Sequence, residues 1–196
     1  MNKYDVLKEF KDANAILKGH FILSSGLHSD TYLQCARALM DTKRSERLCS
    51  ALADKVRENI SEKIDLVIAP AMGGVVVGYE MGRKLGVETI FVERQDGKFT
   101  LRRGFEIKKG QNILVVEDVV TTGKSSLEAI KSIKEYGGNI VGEACLINRS
   151  GINNPVEGVK LIALTDIEVK TFGAENIPSE LKSTKAIKPG SRWLNK

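Results

Sequence analysis

The sequence predicts an α/β fold: a doubly wound, mostly parallel five-stranded sheet with helices on both faces. Two observations carry that reading. Short, almost purely apolar runs recur at Leu66–Ala69, Thr89–Val92, 112–116, 139–147 and 159–164, and this continuous character marks strands that are buried on both faces. Segments of helical period separate them, notably 74–85 and 124–136, and strand–helix alternation of this kind builds a parallel sheet. In such sheets ligands collect at the carboxyl ends of the strands.

In chain order, Val6, Phe10, Ala13 and Leu17 recur at helical spacing and predict a helix over 5–17, with Gly19 as its stop. The stretch His20–Cys35 is irregular and polar, with a turn signal at Ser24-Ser25-Gly26. A second helix follows Thr42 and presents Leu48, Leu52, Val56 and Ile60 on one face. Within 74–85, Gly74, Gly78 and Gly82 fall at four-residue spacing, as close packing of helix on sheet requires. A polar excursion occupies 93–110, and Gly137-Gly138 closes the helix over 124–136.

At 196 residues the chain is long enough to bury a full core, and the expectation is one domain spanning 1–196. Hydrophobic residues make up 42% and charged residues 28%, with no apolar run long enough for a membrane helix. Charges stand near the N-terminus where a signal peptide would be apolar, so a cytoplasmic location is expected. Three widely spaced cysteines and two histidines argue against a disulfide framework, a zinc site or any dedicated metal cluster. The net charge of +5 is modest and suits substrates that carry several phosphates as well as it suits nucleic acid.

The most informative stretch is Ile113-Leu-Val-Val-Glu-Asp-Val-Val-Thr-Thr-Gly-Lys-Ser125. An apolar strand is expected to end at the paired acids Glu117 and Asp118. Val119 and Val120 lead into a turn, Thr121-Thr122-Gly123-Lys124-Ser125, that opens a helix. Two carboxylates can accept the two hydroxyls of a cis-diol. The N–H groups and hydroxyls at a helix N-terminus favour a monophosphate. Diol and phosphate on one ligand mean a ribose 5-phosphate. Gly123-Lys124-Ser125 is not a Walker A loop, because Asp118 stands where that motif needs glycine. The Gly73-Gly74-x-x-x-Gly78 run likewise lacks the middle glycine of a dinucleotide fingerprint, Val75 standing there instead. A second candidate site is Ala69-Pro70-Ala71-Met72-Gly73-Gly74, another strand end opening a helix, whose donors suit pyrophosphate neutralised by magnesium.

The stretch Val115–Ser125 resembles the phosphoribosyl pyrophosphate signature of the type I phosphoribosyltransferases, and its wording is most similar to that of the orotate-specific members. The resemblance extends over most of the chain from Phe10 to Arg149. It implies transfer of a phosphoribosyl group from phosphoribosyl pyrophosphate to orotate in UMP synthesis, with magnesium held mainly by the substrate's pyrophosphate and ribose. It implies that Glu117 and Asp118 take the ribose hydroxyls, that 121–125 wraps the 5-phosphate, and that Met72 and Gly73 touch pyrophosphate. A cis peptide is expected near Ala71-Met72. The excursion 93–110 corresponds to a mobile loop shared across a homodimer, with Arg94 and Lys98 as cationic clamps and Arg102 and Arg103 as weaker candidates. A hood formed mainly by 1–40 covers the base above a core at 60–170, and Ser25, Thr121 and Arg149 face orotate. Familiar members carry lysine at the positions of Ser24, Gly73 and Arg94, and this chain has none of the three. The rival readings are a purine-base transferase and a non-catalytic sensor of phosphoribosyl pyrophosphate; neither nucleic acid nor membrane is an expected partner of the transferase.

Overall fold

The computed structural model describes residues 1–23 and 25–189, so Ser24 and the last seven residues lie outside the described residues. Five parallel strands form the core: β3 (Leu66–Pro70), β4 (Glu88–Gln95), β6 (Asn112–Val120), β7 (Asn139–Asn148) and β8 (Leu161–Asp166). They lie in the order β4-β3-β6-β7-β8. A sixth strand, β5 (Lys98–Thr100), pairs antiparallel with β4 at the edge. The excursion expected to be a loop therefore begins as a hairpin that widens the sheet.

Both faces of this sheet are covered, as its apolar strands require. Leu114, Val116 and Val67 join Leu48, Leu52 and Val56 of α3 (Thr42–Asn59) and Val77 and Met81 of α4 (Gly73–Leu85) in one cluster. Ile113, Val115 and Ile68 face the other way, towards Ala129, Ile130 and Ile133 of α5 (Lys124–Glu135). The glycine face of α4 packs as expected: a Cβ at Gly78 would lie 2.6 Å from that of Ala69, too close for any side chain.

The N-terminal reading needs correction. The first helix, α1 (Lys3–Asp12), is capped by Asn2 and ends well before Gly19. Asn14 turns the chain with φ +49°, and Leu17 and Gly19 lie in β1 (Ile16–Ile22). Helical spacing of Ala13 and Leu17 was outweighed by a polar turn residue tolerant of left-handed backbone. β1 pairs with β2 (His28–Leu33), and a short helix α2 (Cys35–Leu39) follows.

Strands β1 and β2 form a separate small sheet, which β9 (Thr171–Phe172) completes. The described C-terminal segment, from Phe172 to 189, closes this hood. Ile22 N–H donates to Ile187 O and Ile187 N–H to His20 O, both at 2.8 Å, and the His20 ring bonds Thr184 O at 3.2 Å. A short helix, α6 (Ser179–Lys182), lies between. No helix among the described residues is long and apolar enough to cross a membrane.

Candidate active site

Chain order and sheet order diverge at one place. From β3 the chain steps to β4 on one side, then returns to lay β6 on the other. The crevice at such a switch point is open at the carboxyl ends of the two strands. The segments emerging there are 71–74 after β3 and 121–124 after β6, the two turns singled out in the sequence. Topology thus places both candidate anion sites side by side.

The strand was expected to end at Glu117 and Asp118; instead both lie within it, because β6 continues to Val120 in register with Asn148. Ladder pairing fixes the two backbones, so their side chains take opposite faces. Both reach the start of α4. A Cβ at Gly73 would lie 3.0 Å from Asp118 Oδ1 and 3.1 Å from Oδ2, and one at Gly74 would lie 3.5 Å from Glu117 Oε2. Glycine at 73 leaves the space that the Asp118 carboxylate occupies. Burial raises the Asp118 pKa above its usual 3.8, opposed by the Val119 N–H, which donates to Oδ1 at 2.9 Å. The Ala71–Met72 peptide is cis, where the resemblance puts it.

The turn after β6 is shaped to leave donors unused. Gly123 has φ +72° and sits against Pro155, where a Cβ would approach within 2.7 Å; both features call for glycine. The Lys124 N–H donates to Thr122 Oγ1 at 3.4 Å, and the first helical bond of α5 runs from Leu127 N–H to Gly123 O. The N–H groups of Ser125 and Ser126 precede that bond and have no helical partner. Thr121, Thr122 and Lys124 are exposed beside them.

Arg149 is drawn back to this site by its own backbone, the N–H donating to Val120 O at 2.7 Å. Its half-buried guanidinium leaves Nε without a partner, and burial lowers its pKa. Sequence reasoning missed its neighbours. Tyr32, at the end of β2, and Cys35, opening α2, both interact electrostatically with Asp118 and Arg149, and burial raises the pKa of each. Alternation in β2, which buries Ser29, Thr31 and Leu33, was the available signal that Tyr32 belongs to the other face. Ser25 lies in the exposed hood turn, its hydroxyl accepting from the Leu27 N–H at 3.4 Å, and no hydrogen bond joins it to Arg149.

The two expected clamps differ. Lys98 begins β5, exposed and without an ion pair. Arg94 is engaged away from the carboxylates: it pairs with Glu128 of α5, donates to Gly97 O at 2.8 Å and stacks 4.2 Å over the Phe99 ring. Arg103 pairs with Glu93 at 2.8 Å, which ties the far arm of the hairpin down. Among the described residues no group of three or more His, Cys, Asp or Glu gathers as a metal cluster. The hard oxygens of Glu117 and Asp118 beside the 71–74 turn suit magnesium that keeps phosphate oxygens and water as its remaining ligands.

Residues 36–175 match the phosphoribosyl transferase domain model. An orotate phosphoribosyltransferase of Sphingopyxis alaskensis is 54% identical over 98% of this chain and 98% of its own length. The enzyme of the same name from Maricaulis maris is 51% identical over 99% and 100% of the two chains. The chain belongs to the orotate phosphoribosyltransferase family. The solved structure of a family member from Aeropyrum pernix agrees in fold, with a TM-score of 0.69 at 24% identity, covering 82% of this chain and 93% of that one. Near-full-length similarity to orotate phosphoribosyltransferases favours the transferase over the rival readings of a purine-base enzyme and a non-catalytic sensor.

Proposed function

We propose that the chain transfers the phosphoribosyl group of phosphoribosyl pyrophosphate to orotate, giving orotidine 5'-monophosphate and pyrophosphate, in the cytoplasm and in the synthesis of UMP. The observation that carries this is the juxtaposition, at one switch point, of a carboxylate pair, a helix start with unused donors and a half-buried arginine with an unused one. Ribose hydroxyls donate to Glu117 and Asp118. The 5-phosphate accepts from the backbone of Thr122, Gly123, Ser125 and Ser126 and from the hydroxyls around it. Pyrophosphate lies over the Met72-Gly73 turn. The Arg149 guanidinium, short of one partner, takes the orotate carboxylate, while the hood covers the base.

Bond breaking at C1 leaves positive charge on the ribose. Asp118, held rigid by Val119 N–H in a low-dielectric setting, stabilises that charge without reorganising. Glu117 and Asp118, with substrate oxygens, would hold magnesium, which when bound would supply charge neutralisation for the leaving pyrophosphate. Lys98 closes over the pyrophosphate with the hairpin and keeps water from the cationic sugar. Arg94 serves the same loop from its seat on Glu128.

The whole chain is read as one domain that works as a homodimer. An exposed apolar stripe supports the second copy: Met72 (78% exposed), Val76 (51%) and Tyr79 (68%) run from the pyrophosphate turn along the outer face of α4. A purine transferase would use the same sugar site but give Arg149 no carboxylate.

The test is pyrophosphate release from phosphoribosyl pyrophosphate and magnesium with a panel of bases. Release with orotate alone is expected, and Lys98→Ala lowers its rate about 100-fold. Release with a purine and none with orotate contradicts the substrate; an unchanged rate in Lys98→Ala contradicts the loop assignment.

A further inference from the structure

One buried acid plays no part in the chemistry above. Glu143 lies in the middle of β7, between Val115 of β6 and Leu161 of β8, with no exposed surface. Neither of its carboxyl oxygens has a hydrogen-bond partner. Its neighbour Gly142 faces α3, since a Cβ there would lie 2.7 Å from Ile60 Cδ1. By strand alternation Glu143 therefore projects to the opposite face, where α5 packs. Ser126, itself buried in the first turn of α5, lies on that face and acts on Glu143 to lower its pKa against the larger effect of burial, without a hydrogen bond of good geometry between them.

The surroundings offer no compensating charge. On its own strand Cys145 shares the face, and Glu117 stands opposite Cys145 on β6. Of the charged groups of α5, Lys124, Lys131, Lys134 and Glu135 are exposed and Glu128 is committed to Arg94; none of them acts on Glu143. From the 149–160 segment Val156 and Val159 fill the same cluster. No cation acts on Glu143, and burial pushes its pKa up to about 7. A carboxyl so enclosed is stable as the neutral acid, which retains one O–H donor.

That donor matters because of what Ser126 does. Its N–H is one of the unpaired groups of the α5 start, which faces the sugar phosphate. We propose that Glu143 is a positioning residue for the phosphate turn: a fully buried, unpartnered carboxyl that stands behind Ser126 at the start of α5 and sets how that turn receives the sugar phosphate. The ionised form would set a second anion at the same helix N-terminus, where it competes with the phosphate for one dipole. The proposal rests on the reading of 121–126 as the 5-phosphate site.

The experiment titrates ribose 5-phosphate into the full chain by calorimetry from pH 6 to 8.5, in wild type, Glu143→Gln and Glu143→Leu. Protonation of the ligand's own phosphate is common to all three and cancels in the ratios. Glu143→Gln, which stays neutral, is expected to match wild type near pH 6 and to bind about tenfold tighter near pH 8.5. The KM for phosphoribosyl pyrophosphate follows the same ratio, and kcat does not. Glu143→Leu, neutral but without a donor, binds more weakly than the Gln variant at every pH although it is the more stable protein. A purely structural role would move affinity and stability together. A Gln-to-wild-type ratio constant across pH, or Leu binding as tightly as Gln, overturns the proposal and leaves the phosphate site standing. Failure of wild type to bind ribose 5-phosphate at any pH overturns both.

Discussion

Replacing Glu143 by glutamine should change how stability depends on pH, and the size of the change follows from burial. Below pH 4.5 the carboxyl is protonated in folded and unfolded chains alike, and ionisation costs nothing. Between 4.5 and about 7 the unfolded chain releases its proton while the folded chain keeps it. The folded protein then binds more protons than the unfolded one, so stability falls as pH rises. Above about 7 both states are ionised and the loss is complete. Raising this carboxyl from 4.5 to about 7 corresponds to about 3 kcal/mol. No solvent screening reduces it, because the side chain is fully buried. Urea denaturation of wild type and Glu143→Gln, run in parallel from pH 4 to 8.5, isolates the effect from every other titrating group. The wild-type stability is expected to drop relative to the variant by about 3 kcal/mol across that window and then level off. In a thermal scan the same change is about 6–12 °C for a chain of this size. Curves that stay parallel within about 0.5 kcal/mol would show that Glu143 has the same proton affinity folded and unfolded, and the reasoning from burial would fail.

Asp118→Asn keeps the shape of the site and removes its charge; kcat should fall about 100- to 1000-fold with little change in melting temperature, as steady-state kinetics and calorimetry will show. Because burial raises the Asp118 pKa, the acid limb of the wild-type rate profile should lie above pH 3.8 and be missing from the residual activity of the variant. Gly73→Ala forces Asp118 to move, given 3.0 Å between the new Cβ and Oδ1; pyrophosphate release should drop about tenfold or more, whereas Gly86→Ala, a strained site far from the carboxylates, should lower stability and spare the rate. Arg149→Gln should raise the KM for orotate about 100-fold and that for phosphoribosyl pyrophosphate far less; equal changes in both would detach Arg149 from the base.

The parallel core was legible because its signal is local. Five apolar runs and their intervening helical periods needed no tertiary information, and all five became strands. The turn after β6 was legible as an element for the same reason, its donors and acids being adjacent in sequence, and the topology sets it at the switch point. What failed were features set by distant partners. β6 outran its expected end because β7 pairs with it as far as Val120, and alternation, not strand termination, aims Glu117 and Asp118. The first helix was overextended because Asn14 adopts a left-handed turn that apolar spacing cannot reveal. Tyr32 and Cys35 reach Asp118 only after the hood folds back, and the tail's place in the hood depends on pairing across more than 140 residues, between His28 of β2 and Phe172 of β9. Arg94 was expected, from the resemblance, as a cationic clamp beside Lys98. Its pairing with Glu128 depends on the hairpin lying against α5.

Gly73 illustrates how one residue links these levels. The resemblance leads to lysine at this position, yet in this chain even a methyl group would press on Asp118. The turn is built tightly around Asp118, and Lys98 on the hairpin is exposed and makes no salt bridge among the described residues.

The most direct test of the account is a structure of the protein with orotate, ribose-bound pyrophosphate donor and magnesium. The ribose hydroxyls should sit on Glu117 and Asp118, the 5-phosphate on the backbone of 122–126, and the orotate carboxylate on Arg149. A 5-phosphate seated in the 71–74 turn, or orotate bound away from Arg149, would contradict it.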